Sequence, residues 1–291
     1  SKMESLRVFI TLAFVGWAIG ADQSECSNTC QGHVSTPSLA FGLLGARPQI
    51  WLFGDSITEY GSSRTGWATL LSERYSRRAD VLNRGLSGYN TVHARAILDG
   101  LSTRKGLLTG AVLATIFFGA NDAAGPESFQ AVPLESYAAN LRAILARLRQ
   151  AAPGIVTVVI TPPPVDDNTP MTWVAESGRS LERAGLYAAE AVRVAREEGS
   201  LCLDLYSAML AQPGWPALLS DGLHLSARGD AFLSDSLVAL LSAEPAARAF
   251  RVESMPSHFP SYEAFADKDQ DAITRVCEWP EEAGAHCIET A

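Results

Sequence analysis

The sequence predicts an α/β fold, a mainly parallel five-stranded sheet covered by helices on both faces. Three observations carry this. Short apolar runs with little polar alternation recur along the chain, amphipathic stretches at helical spacing separate them, and polar, glycine-rich segments follow directly after the apolar runs. Strands that do not alternate are buried on both sides, and parallel strands buried on both sides need crossover helices to cover them.

The strand-like runs are residues 49–53 (QIWLF), 79–83 (ADVLN), 112–118 (VLATIFF), 155–160 (IVTVVI) and 201–205 (LCLDL). The clearest helix spans 134–152, where Leu134, Tyr137, Ala138, Leu141, Ile144, Leu145 and Leu148 recur at spacings of three and four, and Pro153-Gly154 ends it. Helical spacing returns over 180–198, with Leu181, Ala184, Leu186 and Val192 as apolar positions and Gly199 behind them. A last helix is predicted from 226 to 241, with Ser226 as its N-cap.

Right-handed crossovers put every strand-to-helix loop on one edge of such a sheet, the edge where ligands bind. Those loops read Gly54-Asp55-Ser56 after the first strand, NRGLSGYNT (83–91) after the second and GANDA (119–123) after the third. TPPPVDD (161–167) follows the fourth, and SDGLHLS (220–226) lies beyond the fifth. Each alone is ordinary turn and cap composition. Together and in this order they bring a serine, a glycine-rich turn, an Asn-Asp pair and an Asp-x-x-His to one edge.

A serine hydroxyl needs a base to act as a nucleophile at neutral pH. Of the five histidines, His33, His93, His224, His258 and His286, only His224 has a carboxylate three residues before it, Asp221, with Gly222 between them to allow a tight turn. That spacing lets Asp221 orient one imidazole nitrogen while the other faces Ser56. An oxyanion needs donors, and the candidates are the Ser56 N–H at a helix start, a Gly88 N–H and the Asn121 side-chain amide. His93 falls in a helix-like stretch as a surface or packing residue. Asp55 and Asp122 are expected to brace loops.

These same residues carry a resemblance. GDSIT with Ser56, Gly88 in the second loop, GAND with Asn121 and DGLH with His224 resemble the four blocks of the SGNH (GDSL) hydrolase family, in family order from about Gln49 to Leu241. LNRGLSGYNT, FFGANDA, ITPPPVDD and LSDGLHLS look like its isoamyl acetate-hydrolysing esterase branch. The resemblance implies a flavodoxin-like, three-layer α/β/α sandwich. It implies Ser56 as nucleophile, His224 as base, Asp221 as its orienting acid, and Ser56, Gly88 and Asn121 as oxyanion hole. It also implies no metal or organic cofactor.

The chain has 291 residues and a net charge of −9. With no Lys/Arg cluster beyond two adjacent residues, such as Arg77-Arg78, a nucleic-acid partner is disfavoured. Three parts are expected: an extension over 1–48, a hydrolase domain over 49–245 and an arm over 246–291. In the extension, Lys2 and Arg7 flank an uncharged apolar stretch, Val8 to Ala21. It is shorter than the ~20 residues that cross a bilayer and fits a secretory signal or an anchor; a helix packed on the domain is the other reading. Cys26 and Cys30 follow it and Cys277 and Cys287 lie in the arm, so disulfides in an oxidising compartment are expected, with a zinc site beside His33 as the rival. Cys202 reads as a buried free thiol. No Asn-x-Ser/Thr acceptor occurs.

The leading functional expectation is a serine-dependent carboxylic ester hydrolase acting on a small, short-chain ester. Its rivals are an acetylated sugar or lipid acyl ester as substrate, and a structural subunit of a membrane-associated complex that retains the fold. The partner expectations are a membrane or protein-complex contact through residues 1–30 and a homo-oligomer. Secretion is the expected location, with the mitochondrial intermembrane space or inner membrane as the alternative. The stretch 162–180, with Met171 and Trp173, and the arm around Phe259 to Phe265 are the expected covers of the site.

Overall fold

A computed structural model describes residues 47–101 and 108–258, and the backbone of 277–278 and 286–287. The apolar stretch Val8 to Ala21, Cys26, Cys30, His33 and the arm from Phe259 to Phe265 lie outside the described residues. The sheet is parallel throughout, built from β1 (Gln49–Gly54), β2 (Asp80–Gly85), β3 (Ala111–Phe117), β4 (Val156–Ile160) and β5 (Leu201–Leu203). Its order is β2-β1-β3-β4-β5. The chain therefore winds one way from β1 to β2 and the other way from β3 onward. The crevice between the carboxyl ends of β1 and β3 is the switch point, where open α/β sheets bind ligands.

The central strands β1, β3 and β4 are apolar on both faces because both faces are covered. Ile50 and Leu52 point into one core with Leu113, Val158 and Ile160, while Trp51 and Phe53 point into the other with Ala114, Ile116 and Val159. The first core is closed by α2 (Trp67–Arg74), α7 (Leu205–Leu210) and α8 (Ala227–Ala243). The second is closed by α3 (Thr91–Leu101), α4 (Leu134–Ala151) and α6 (Leu181–Glu197). This is the three-layer α/β/α sandwich expected from the sequence. Truncating a fully buried residue such as Leu52 or Leu141 to alanine is worth about 2–5 kcal/mol of stability.

Two elements differ from the sequence expectation. The fifth strand stops at Leu203, because the Asp204 carboxylate accepts from Ser207 N and starts α7 where the apolar pattern continues. On α6 the buried stripe is Ala184, Tyr187, Ala188, Ala191, Val194 and Ala195, whereas Leu186 is 52% exposed. Four alanines with Tyr187 and Val194, not Leu186 and Val192, form the packed face, and the alanines let the helix lie close to its neighbours.

Two further helices flank the sheet edge, α1 (Ser56–Tyr60) and α5 (Thr172–Glu176). The described residues just after α8 pack on the same body: a 3₁₀ turn, Pro245–Phe250, buries Ala247 and Phe250, and Tyr75 Oη donates to the Phe250 carbonyl at 2.7 Å. Cys202 is a free thiol, its pKa pushed up to about 11 by burial. The backbone of Cys277–Glu278 pairs antiparallel with His286–Cys287, setting Cys277 opposite Cys287. Among the described residues no helix is long and apolar enough to cross a membrane.

Candidate active site

Gly54-Asp55-Ser56 is a strand end fused to a helix start. Asp55 is the N-cap of α1, accepting from Ile57 N at 3.0 Å, and this turns the chain so that Ser56 opens the helix at the mouth of the switch-point crevice. Gly54 is needed for closeness: a Cβ there would sit 2.1 Å from Thr58 Oγ1 and 2.7 Å from the Phe117 carbonyl. Burial pushes the Asp55 carboxyl up to about 7. It is a structural cap, as the sequence suggests.

Ser56 Oγ lies 2.9 Å from His224 Nε2, although 168 residues separate them. His224 Nδ1 lies 2.8 Å from Asp221 Oδ2, and the other Asp221 oxygen accepts from the backbone N–H of His224 (2.8 Å) and of Leu223 (3.0 Å). The tight turn runs through Gly222 at φ +93°, where a side chain is strained and its Cβ would meet Thr169 at 2.6 Å. Burial pushes Asp221 up, but the His224 ring and the two backbone donors outweigh it and hold the carboxyl below its ordinary value. An ionised Asp221 keeps the proton on Nδ1 and turns the Nε2 lone pair toward Ser56. Tyr60 and Trp173 pack near the imidazole, with ring centroids at 5.3 and 6.0 Å.

The facing wall comes from the loops after β2 and β3. Gly88, at φ +79°, and Asn121 line the same cleft as Ser56 and His224, a space of about 450 Å³ that also touches Trp173, Gln130 and Arg179. Among the described residues, neither the Ser56 nor the Gly88 N–H has a hydrogen-bond acceptor, and Asn121 Nδ2 donates only to the Tyr89 carbonyl, at 2.8 Å. These three groups are donors with capacity to spare on residues that line one cleft. Asp122 braces the loops: burial pushes its carboxyl up to about 6, and it accepts from the backbone N–H and hydroxyl of Thr91 at the start of α3. His93 is exposed and accepts from Asn90 N at 3.3 Å within that same helix start, away from the cleft lining.

All five residues singled out from the sequence, Ser56, Gly88, Asn121, Asp221 and His224, thus meet at the carboxyl edge of the sheet. Trp173, on α5, lines the cleft as the sequence suggests. Sequence reasoning missed Gln130 and Arg179. Neither stands in a motif, and each is recruited by a tertiary contact.

Comparison with known proteins bears on the family and the fold. The family model described as the GDSL-like Lipase/Acylhydrolase family matches residues 52–232. A GDSL esterase/lipase of Arabidopsis thaliana is 38% identical over 234 residues, covering 74% of this chain and 93% of that protein. An isoamyl acetate-hydrolyzing esterase 1 homolog of Rattus norvegicus is 40% identical, covering 74% of this chain and 87% of its own length. Among solved structures, a lipase/acylhydrolase from Enterococcus faecalis superposes with a TM-score of 0.53 at 26% identity, over 66% of this chain and 94% of that one. With its serine, histidine and aspartate joined at one sheet edge, the chain belongs to the GDSL-like lipase/acylhydrolase family of carboxylic ester hydrolases.

Proposed function

We propose that this protein hydrolyses short-chain, acetyl-type carboxylic esters through an acyl-serine intermediate. The observation that carries the reading is the continuous relay from Ser56 Oγ through His224 to Asp221, at 2.9 and 2.8 Å. Ser56 is the nucleophile. His224 Nε2 takes the hydroxyl proton as Oγ attacks the ester carbonyl carbon, and Asp221 stabilises the imidazolium that forms. The carbonyl oxygen becomes an oxyanion facing the Ser56 and Gly88 N–H groups and the Asn121 amide. Collapse breaks the bond to the alcohol, which leaves with the proton from His224. Water then gives a proton to His224 and attacks the acyl carbon, and as the bond to Ser56 breaks His224 returns the proton to Oγ, releasing the carboxylic acid.

The mixed lining supports a short acyl group: Glu176 and Ser177 stand among Tyr60, Phe129, Trp173 and Leu223, and a long alkyl chain would cover these polar groups without pairing them. A relative bearing the name of an isoamyl acetate-hydrolysing enzyme supports an acetate ester. The test is a fluorophosphonate probe together with a nitrophenyl ester series of increasing acyl length. Labelling at Ser56 and a kcat/KM that falls from acetate to octanoate are expected. Octanoate outpacing acetate defeats the short-chain reading, and an unlabelled, folded protein defeats the mechanism.

Secretory routing belongs to the same proposal, supported by Lys2, Arg7 and the apolar Val8–Ala21. A disulfide among the terminal cysteines goes with it, and the register setting Cys277 opposite Cys287 favours that pair. Intact mass with and without reductant reads this directly, and retention of the full chain inside the cell would argue for the mitochondrial alternative.

A further inference from the structure

Arg179 is a buried cation that the reaction as written does not use. It is 7% exposed, lies on the loop between α5 and α6, and donates from Nε to the Ala120 carbonyl at 3.1 Å. Its Nη2 reaches two side-chain amides, Asn121 Oδ1 and Gln130 Oε1, both at 2.9 Å. Gln130 Nε2 then donates to Asn121 Oδ1 at 3.1 Å and to the Gly88 carbonyl at 3.0 Å.

This network settles which way the Asn121 amide points. Its oxygen accepts from two donors, and its nitrogen donates to the Tyr89 carbonyl at 2.8 Å. Rotated by half a turn, the amide would set NH₂ against two donors and oxygen against a carbonyl. A guanidinium is donor-only and stays charged, so it enforces one orientation at any working pH. Burial lowers the Arg179 pKa, and the Asp55 carboxylate opposes that in part. A positive charge on Oδ1 also polarises the amide and makes its N–H a stronger donor.

We infer that Arg179, with Gln130 as its relay, is a positioning residue that orients both oxyanion donors of the loops: Asn121 directly, and the Gly88 turn through Gln130. The inference rests on the proposed role of Asn121. Arg179 touches no reacting atom and acts through the two amides.

Arg183 supplies the comparison. One turn into α6 it donates to the Ala123 and Ala124 carbonyls at 3.2 and 2.9 Å, bracing the same loop without touching either amide. A purely structural role for Arg179 would make the two arginines equivalent.

The experiment is a double-mutant cycle on nitrophenyl acetate with purified wild type, Arg179→Met, Asn121→Ala and the pair, and Arg183→Met as control. Arg179→Met is expected to lower kcat by ~10- to 100-fold with little change in KM, less than outright loss of a donor. In the Asn121→Ala background the same change should cost under about 3-fold, because the group it orients is gone. Arg179→Lys should not restore kcat, since a point charge cannot hold the carbonyl and both amides at once. Arg183→Met should lower the melting temperature and leave kcat near wild type.

Equal losses from Arg179→Met with and without Asn121, or wild-type kcat in Arg179→Met, overturn the inference. If Arg179→Met does not fold, Gln130→Met enters the same cycle, and an additive loss there overturns it equally. Wild type labelled at Ser56 while Asn121→Ala turns over normally would remove the underlying assignment instead. An impaired Asn121→Ala with an intact Arg179→Met would sink this inference alone.

Discussion

On one wall of the cleft Asp221 and His224 stand three residues apart in the chain and meet at 2.8 Å; on the other, Asn121 is held by Arg179 and Tyr89, 58 and 32 residues away. The wall that handles protons in the proposed mechanism is assembled mainly from local turns, the Asp55 cap and the Asp221–His224 turn. The approach of His224 to Ser56 is long-range, and Asp166 N and Thr169 Oγ1 brace the turn from outside at the Gly222 and Asp221 carbonyls. The oxyanion wall is assembled almost wholly by contacts between loops. The difference teaches that two halves of one site can be encoded at different scales. A short motif specifies one half, while the other depends on the sheet bringing its loops together.

The strongest way to break this comparison is at the junction. Ser56→Ala and His224→Ala should each lower kcat by ~10⁶, and the double variant hardly further, because nucleophile and base act as one unit. Turnover of nitrophenyl acetate reads it; a double variant far worse than either single one would mean that they act separately.

Asp221→Asn tests the local wall alone. One oxygen must still accept from the Leu223 and His224 backbone, so the amide NH₂ would face Nδ1 and force the wrong imidazole tautomer. A loss of ~10⁴ in kcat is expected, the scale for a triad carboxylate made an amide. A loss under about 10-fold would show that orientation by the turn suffices.

Asn121→Ala tests the opposite wall. Removing one oxyanion donor typically costs ~10²–10³ in kcat. Probe labelling at Ser56 should persist at a reduced rate. Abolished labelling in a folded variant would merge the two walls into a single unit.

The smallest effect is on stability. Burial raises the Asp55 carboxyl from 3.8 to about 7 and Asp122 to about 6, so the folded state holds protons that the unfolded chain releases above about 4. Stability should therefore fall as pH rises from about 4 to 7, the reverse of a salt-bridged carboxylate. Asp55→Asn keeps the cap oxygen for Ile57 N and should flatten part of that slope in denaturant titrations across the window. An unchanged slope would place the proton uptake elsewhere.

The same contrast of scale explains what could be read from the sequence. Strand positions were legible because both faces of the sheet are buried, so QIWLF and IVTVVI show no alternation to confuse with a half-exposed strand. Ser56, Asp221 and His224 were legible because caps and three-residue turns leave local signatures. Arg179 and Gln130 were not, since an arginine in a loop acquires meaning only from the carbonyls and amides that folding sets around it. The early end of β5 had a readable signal that apolar pattern overrode: Asp204 three residues before Ser207 is a helix start. On α6 the weight given to Leu186 hid a stripe of alanines, which pack by closeness rather than bulk.

The indole of Trp173 stands 6.0 Å from the His224 ring and 5.9 Å from the Arg179 guanidinium carbon. Excited indoles lose emission to protonated imidazoles, so this residue stands where its emission would report the charge on His224, the base of the proposed mechanism. The light it emits should dim while His224 carries a proton and recover once the proton departs. Five other tryptophans share the signal, and subtracting the trace of a Trp173→Phe protein isolates it. An equilibrium titration of that difference in emission would follow the protonation of His224 with no label attached and no chromogenic ester required.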